Sequence, residues 1–258
     1  MSNQLINTMK RQIVLAAHSA REGHVASALS ILDLLWVLYD RVIKIDPRQP
    51  DDLKMDRFIL SKGHASLALY VVLAQKGFFP LESTRTFCTY GGNLGGHPDC
   101  NKIPGVEAST GSLGHGFPMA VGMALGSKIR HIDNRIFCLI GDGESNEGTI
   151  WESALIAAHH KLSNLCCIVD YNHSTDRALT VGDLVDKFRS FGWDATQIQG
   201  HDHDQIYRAL IHRDKIRPTV VVAETTKGKG IKQMENEPAW HHRAPSDDEL
   251  NNMLKELA

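Results

Sequence analysis

The sequence predicts an α/β fold built on an open sheet, and three observations carry that reading. RIFCLI (135–140), LCCIV (165–169) and TVVVA (219–223) are short apolar runs that read as strands, separated by stretches of helical period. The first run feeds directly into the turn Gly141-Asp142-Gly143, where such a sheet presents backbone and side chains to a ligand. A chain of 258 residues can bury a sizeable core, and one domain over 1–258 is the economical reading, with 228–258 as its C-terminal tail.

The elements follow in order. Residues 3–22 read as an amphipathic helix, GHVASALS as a turn, and Ile31 to Tyr39 as a strongly apolar helix. DPRQPDDLKMDR (46–57) is polar and turn-rich, and a short strand, Phe58 to Leu60, then delivers Ser61-Lys62-Gly63-His64 at its carboxyl end. Leu67 to Gln75 is helical. Residues 91–116 hold eight glycines and little periodicity, which predicts an ordered loop system approaching a ligand closely. Helices are expected at 117–131 and from Thr149 to His160, with Trp151 available for packing, and again from Leu179 to Phe191. GWDATQIQG reads as a short strand and loop, and HDHDQIYRALIHR as the start of another helix. Ser246 is placed to cap a last helix at SDDELNNMLKELA.

Charged residues make up 22% of the chain and the formal net charge is -2, so nothing electrostatic recommends a nucleic acid or an anionic membrane as partner. No run approaches the roughly 18 apolar residues of a membrane span, and the N-terminus lacks the apolar core of a secretory signal, which predicts a soluble, cytoplasmic protein. The five cysteines, Cys88, Cys100, Cys138, Cys166 and Cys167, form no C-x-x-C pair, and three lie inside strand candidates; buried thiols are expected rather than disulfides or zinc ligands.

Asp142 and Asn172 sit just beyond two strand candidates and are expected to meet in space. They supply oxygens of the kind Mg²⁺ or Ca²⁺ takes, able to hold a hard cation against a diphosphate. Turn formation through bonds to backbone amides is the alternative for both. Gly143 lets its amide approach a phosphate oxygen, or serves a tight turn. The histidines in these loops suit an anionic ligand, since an imidazole donates one hydrogen bond when neutral and two when protonated.

Taken together, SAREGHVASALSILDLLWVLY (19–39), ILSKGHASLALY (59–70), GGHP (95–98), GVEASTGSLGHGFPMAVGMALG (105–126), GDGESNEGTIWESALIAAHHKL (141–162), VDYN (169–172) and KGKGIKQMENEPAWH (227–241) resemble the N-terminal, diphosphate-binding half of transketolase, in the family's order and across nearly the whole chain. The resemblance implies a doubly wound, mostly parallel sheet flanked by helices, with thiamine diphosphate and a divalent metal at its carboxyl edge. It implies transfer of a two-carbon ketol group from a ketose phosphate to an aldose phosphate, as in the pentose phosphate pathway. The family's second and third domains are expected on a separately encoded chain in an α₂β₂ assembly, the partner supplying the glutamate that activates the cofactor and much of the sugar-phosphate site.

Residue by residue, the resemblance assigns the metal to Asp142, Asn172 and the Ser174 carbonyl, and the diphosphate to Gly143. His64 and His241 would face both cofactor and substrate, and His24 and His97 the sugar hydroxyls, as general acids or bases. Gly111 and Leu113 would meet the aminopyrimidine, Leu113 and Ile168 would line the thiazolium pocket, and Glu147 would join two cofactor sites across an interface. Val25 and Ala26 depart from the family's usual proline and glycine, and the HST at 173–175 from its commoner sequences. For the histidines the alternative is structural hydrogen bonding, and for Ile168 an ordinary core position. His115, where many members have glutamine, touches substrate or cofactor or stands behind the site. Lys62 is either a phosphate ligand or a solvated strand-end cation, and Glu144 and Glu152 can simply cap or solvate their helix. Two rival functions are a 2-oxoacid dehydrogenase component, against which the His24, SKGH and GGHP set argues, and a noncatalytic thiamine diphosphate-binding or regulatory module. A transketolase-like subunit for modified ketoses is a third possibility.

Overall fold

The structure, a computed structural model, describes residues 3–50, 52–176 and 178–258. Its centre is one parallel sheet of β1 (Arg57–Leu60), β2 (Ile136–Gly141), β3 (Leu165–Tyr171), β4 (Asp194–Gln199) and β5 (Thr219–Glu224), in the order β1-β2-β3-β5-β4. Registers pair Gly141 with Asp170 and Asp170 with Ala223, so three strands end side by side at one carboxyl edge.

The strands are nearly continuous apolar runs because both faces are covered, as parallel sheets require. Alternation divides them between two cores. Phe137, Leu139, Cys166, Ile168, Val221 and Ala223 pack with α1 (Asn3–Ala20), α2 (Val25–Val37), α3 (Ser66–Gln75), α7 (His203–Ile211) and α8 (Asp247–Glu256). Ile136, Cys138, Ile140, Cys167, Val169, Val220 and Val222 pack with α4 (Gly116–Ile129), α5 (Gly148–His159) and α6 (Leu184–Ser190). This is the doubly wound arrangement.

Two helices differ from the sequence reading. The expected turn at GHVASALS is confined to Gly23 and His24, since α2 starts at Val25 and every residue in it is buried. Its alanines and serines are core residues of a wholly buried helix, so the amphipathic period that marks a helix start is missing. α2 then runs into a π-helical turn, Leu38–Val42. α6 begins at Leu184 instead of Leu179, because Gly182 has φ 66° and the Asp183 carboxylate accepts the Asp186 amide at 2.9 Å, a cap that fixes the first turn.

The glycine-rich stretch at 91–116 is an ordered loop, as expected. Tyr70 Oη and Ser66 Oγ donate to the carbonyls of Gly95 and Gly96, each at 2.9 Å, and Thr110 Oγ1 donates to the Leu60 carbonyl at 2.6 Å. α8 starts at the predicted Ser246 with a full capping box and docks on α1 through His18 and Asp247 (2.7 Å), with Met253 buried beneath it. Cys138, Cys166 and Cys167 are buried and burial pushes their thiols up; Cys88 and Cys100 are exposed, and all five are free. Among the described residues no helix is long and apolar enough to cross a membrane.

Candidate active site

The carboxyl ends of β2 and β3 define the floor of the site. Asp142 follows β2, and its amide donates to the Asp170 carbonyl across the edge at 3.1 Å. Its carboxylate is 3% exposed; Oδ1 accepts the Gly143 amide at 2.7 Å, whereas Oδ2 is buried with no hydrogen-bond partner. Burial first, and then the neighbouring Asp170, raise its pKa. A buried carboxylate with one unused oxygen is what a hard cation would satisfy. Among the described residues no group of three His, Cys, Asp or Glu side chains could hold a metal, so a cation here needs amide, carbonyl and diphosphate oxygens as well.

Asn172 is oriented by its neighbours. Its Nδ2 donates to Asp170 Oδ2 at 2.9 Å and to Ser30 Oγ at 3.1 Å, which turns Oδ1 toward Ser174, whose amide (3.1 Å) and hydroxyl both donate to it. Asp170 thus couples Asp142 to Asn172, although the sequence reading gave it no role. This fully buried carboxylate also accepts from Ser30 Oγ (2.7 Å) and Thr225 Oγ1 and pairs with Lys62 Nζ at 2.5 Å. Lys62 is 3% exposed, which corrects its reading as a solvated cation: its ammonium neutralises Asp170.

Glu144 is likewise more than a helix cap. Buried, it accepts from Ser61 Oγ at 2.5 Å and the Gly114 amide at 2.8 Å through Oε1, and from the Gly141 amide at 3.1 Å through Oε2. One carboxylate therefore ties together the SKGH, GSLGHG and GDG loops. The fit is close, since a Cβ on Gly63 would lie 2.8 Å from the Thr110 backbone. Glu152 is exposed, in keeping with its solvated reading. Ile168 lies in the middle of β3 within the α1–α3 core, in keeping with the alternative of an ordinary core position.

Above this floor the four predicted histidines converge. The His24 ring centroid lies 5.0 Å from that of His64, 5.5 Å from His241 and 6.5 Å from His97. Burial, and then the neighbouring histidines His242, His241 and His97, lower the pKa of His24 to about 4 against the pull of Glu22. Burial and then Lys62 lower that of His64 to about 2, so both imidazoles are neutral at physiological pH. No ring nitrogen of His24, His64 or His97 is hydrogen-bonded to a described residue. His241 is committed on one side: Lys227 Nζ donates to its Nδ1 at 2.9 Å, which places the ring proton on Nε2. Its pKa is lowered by burial and then by Lys227.

Lys227 is a site residue the sequence reading missed, although the KGKG motif was in view. It is 7% exposed, burial and then Lys62 lower its pKa to about 8, and it lines a cleft of ≈ 630 Å³ with Gly143, Asn172, Ser174 and His241. Its loop is braced from below. The Thr226 amide donates to His201 Nε2 at 2.9 Å, so His201 carries its proton on Nδ1 and gives it to the buried Asp33 at 2.8 Å. The remaining predicted residues lie around the rim. Gly111 packs on His97, whose ring would be 3.0 Å from a Cβ there. Leu113 is half-buried, and its carbonyl accepts from Nδ1 of the exposed His115 at 3.0 Å. Glu147 is exposed at the N-terminus of α5.

The doubly wound sheet, the oxygen-rich floor and the roof of histidines agree with what comparison with known proteins finds. The family model for the transketolase thiamine diphosphate binding domain matches residues 1–258, and the chain belongs to that family. It is 36% identical over 257 residues to one of the subunits of an apulose-4-phosphate transketolase from Phocaeicola vulgatus, an alignment covering 96% of this chain and 91% of the relative. It is 40% identical over 242 residues to a 6-deoxy-6-sulfo-D-fructose transketolase subunit from a Clostridium species, covering 91% and 88% of the two chains. Transketolase from Campylobacter jejuni superposes with a TM-score of 0.91 at 29% identity, over 100% of this chain and 43% of that one.

Proposed function

We infer that this chain is the thiamine diphosphate-binding subunit of a two-chain transketolase and that it moves a two-carbon ketol group between sugars. The observation that carries the reading is the set of uncommitted imidazoles, His24, His64 and His97, gathered with His241 above the buried, half-unsatisfied Asp142 carboxylate. Relatives aligned over nearly their own whole length are subunits, which supports a separate partner chain. A noncatalytic binding module would have no use for sugar-facing groups left unspent.

The residues present fit the cofactor and a divalent cation. Asp142 Oδ2, the oriented Asn172 amide and the Ser174 carbonyl would hold Mg²⁺, with Ca²⁺ suited to the same oxygens. Gly143 and Lys227 would meet the diphosphate, and Gly111 and Leu113 the aminopyrimidine. Bound thiamine diphosphate supplies the electron sink that lets the ketose carbon–carbon bond break. This chain orients the sugar and handles its protons: His24 and His97 at the hydroxyls, with His64 and the Nε2–H of His241 between cofactor and substrate. Glu147, exposed at the head of α5, would lie in the interface of an α₂β₂ assembly in the cytoplasm.

The names of the relatives favour modified ketoses over the ordinary pentose phosphate donor. The test is ketol transfer to an aldose phosphate by the chain mixed with its partner, with thiamine diphosphate and Mg²⁺. Xylulose 5-phosphate, apulose 4-phosphate and 6-deoxy-6-sulfo-D-fructose are compared as donors. A kcat/KM at least about tenfold higher for one modified ketose supports this reading; preference for xylulose 5-phosphate returns the chain to the pentose phosphate pathway; turnover of none contradicts transketolase chemistry.

A further inference from the structure

A fifth histidine reaches the cluster. The His242 ring lies on that of His24 with centroids 4.4 Å apart and planes 23° from parallel, the closest and flattest contact that His24 makes. His242 donates through Nε2 to the Glu22 carboxylate. The two residues are 220 positions apart and are held together by the backbone: the Arg243 amide donates to the Gly23 carbonyl at 3.2 Å, and His24 and Arg243 form a parallel bridge. The Arg243 guanidinium lies 4.1 Å over the buried Trp240 ring and binds Glu249, which anchors the far side of the segment. Both partners of the pair remain half-exposed at the rim, with side-chain exposures of 52% and 43%.

We propose that Glu22 and His242 form a positioning couple for His24, in which the stacked His242 ring fixes the plane of the His24 imidazole and the Glu22 carboxylate supplies the negative charge that a proton arriving on His24 requires. The groups facing His24 are His64, His97, His241, His242 and Glu22, and Glu22 is the one that favours its charged form; burial and the neighbouring histidines oppose it. A proton taken from a sugar hydroxyl therefore lands beside an imidazole already hydrogen-bonded to a carboxylate. A neutral ring held only by packing would bear that charge alone.

The inference rests on the reading that His24 exchanges a proton with the sugar, so its test has one arm that needs no turnover. In the full chain with labelled histidine, the His24 titration is followed by NMR. Glu22→Gln is expected to move it to lower pH, and His242→Phe, which keeps a stacked ring but removes a histidine that opposes the charged form, is expected to move it to higher pH. In the complex with the partner chain, each variant is expected to lower kcat about tenfold with KM changed less than twofold, and to shift the acid limb of the pH profile in the same direction as the His24 titration. The double variant is expected to be no worse than either single one, because the two residues act as a unit. An unmoved His24 titration overturns the proposal whatever the activity of the complex. So does a rise in KM alone with an unchanged pH profile, which is the mark of a merely structural contact.

Discussion

Asp142 shows how far single residues could be read from the sequence. Its position after an apolar strand marked it as a ligand, but its unused oxygen and its tie to Asp170 depend on a neighbouring strand. The polar hub of Asp170, Lys62, Ser30 and Thr225 was not legible, because its members come from four segments and only the strand register brings them together. Removing the Asp142 charge should relieve the apo fold and ruin the site. Asp142→Asn is expected to raise the melting temperature of the cofactor-free chain, by on the order of 1 kcal/mol of stability, and to weaken Mg²⁺-dependent thiamine diphosphate binding by about a hundredfold or more. Calorimetry of both states checks this. The histidines give a pH dependence of definite sign. His24 and His64 titrate near 4 and 2 when folded, below the ordinary 6.5, so the native state binds fewer protons than the unfolded one and stability is lost as pH falls below 6.5 toward 4. His64→Gln is expected to remove about one proton from the uptake on unfolding at pH 5, measured from the pH slope of urea denaturation.

At the scale of elements, the strands and the cap of α8 were legible because each leaves a local mark: an apolar run, or Ser246 three residues before Glu249. α2 was partly missed because a helix buried on every side has no polar face to give it a period. The start of α6 was missed because a positive φ at Gly182 leaves no mark in the hydrophobic pattern. α8 lies on α1 and reaches the histidine segment through Glu249, which binds Arg243, whereas the cofactor cleft is lined by other segments, so loss of its cap and cofactor affinity should separate. Ser246→Ala is expected to cost about 1 kcal/mol in urea denaturation by removing the cap, with thiamine diphosphate affinity in the complex unchanged. A loss of affinity in step with stability would instead tie α8 to the site. The loops behave differently, because Glu144 binds three of them to one carboxylate, and their geometry stands or falls together.

For the whole molecule, the sheet edge explains why so much of the site sits on one chain and why the rest is sought elsewhere. The floor, the cleft and most of the histidine roof are built from the ends of β1, β2, β3 and β5 and the loops that follow them, with His24 added from the turn between α1 and α2. Yet His97, His115 and Glu147 are exposed, as residues meeting a second chain would be before assembly. The family resemblance was legible in motif order alone; how the motifs interlock was not, since that depends on contacts between residues far apart in the sequence. The most direct test is ketol-transfer activity with thiamine diphosphate and Mg²⁺, measured for this chain alone, its partner alone, and the two mixed. The account predicts no turnover from either chain and turnover from the mixture that saturates as the partner is titrated in. Full activity from this chain alone, or none from a complex shown to have formed, would contradict it.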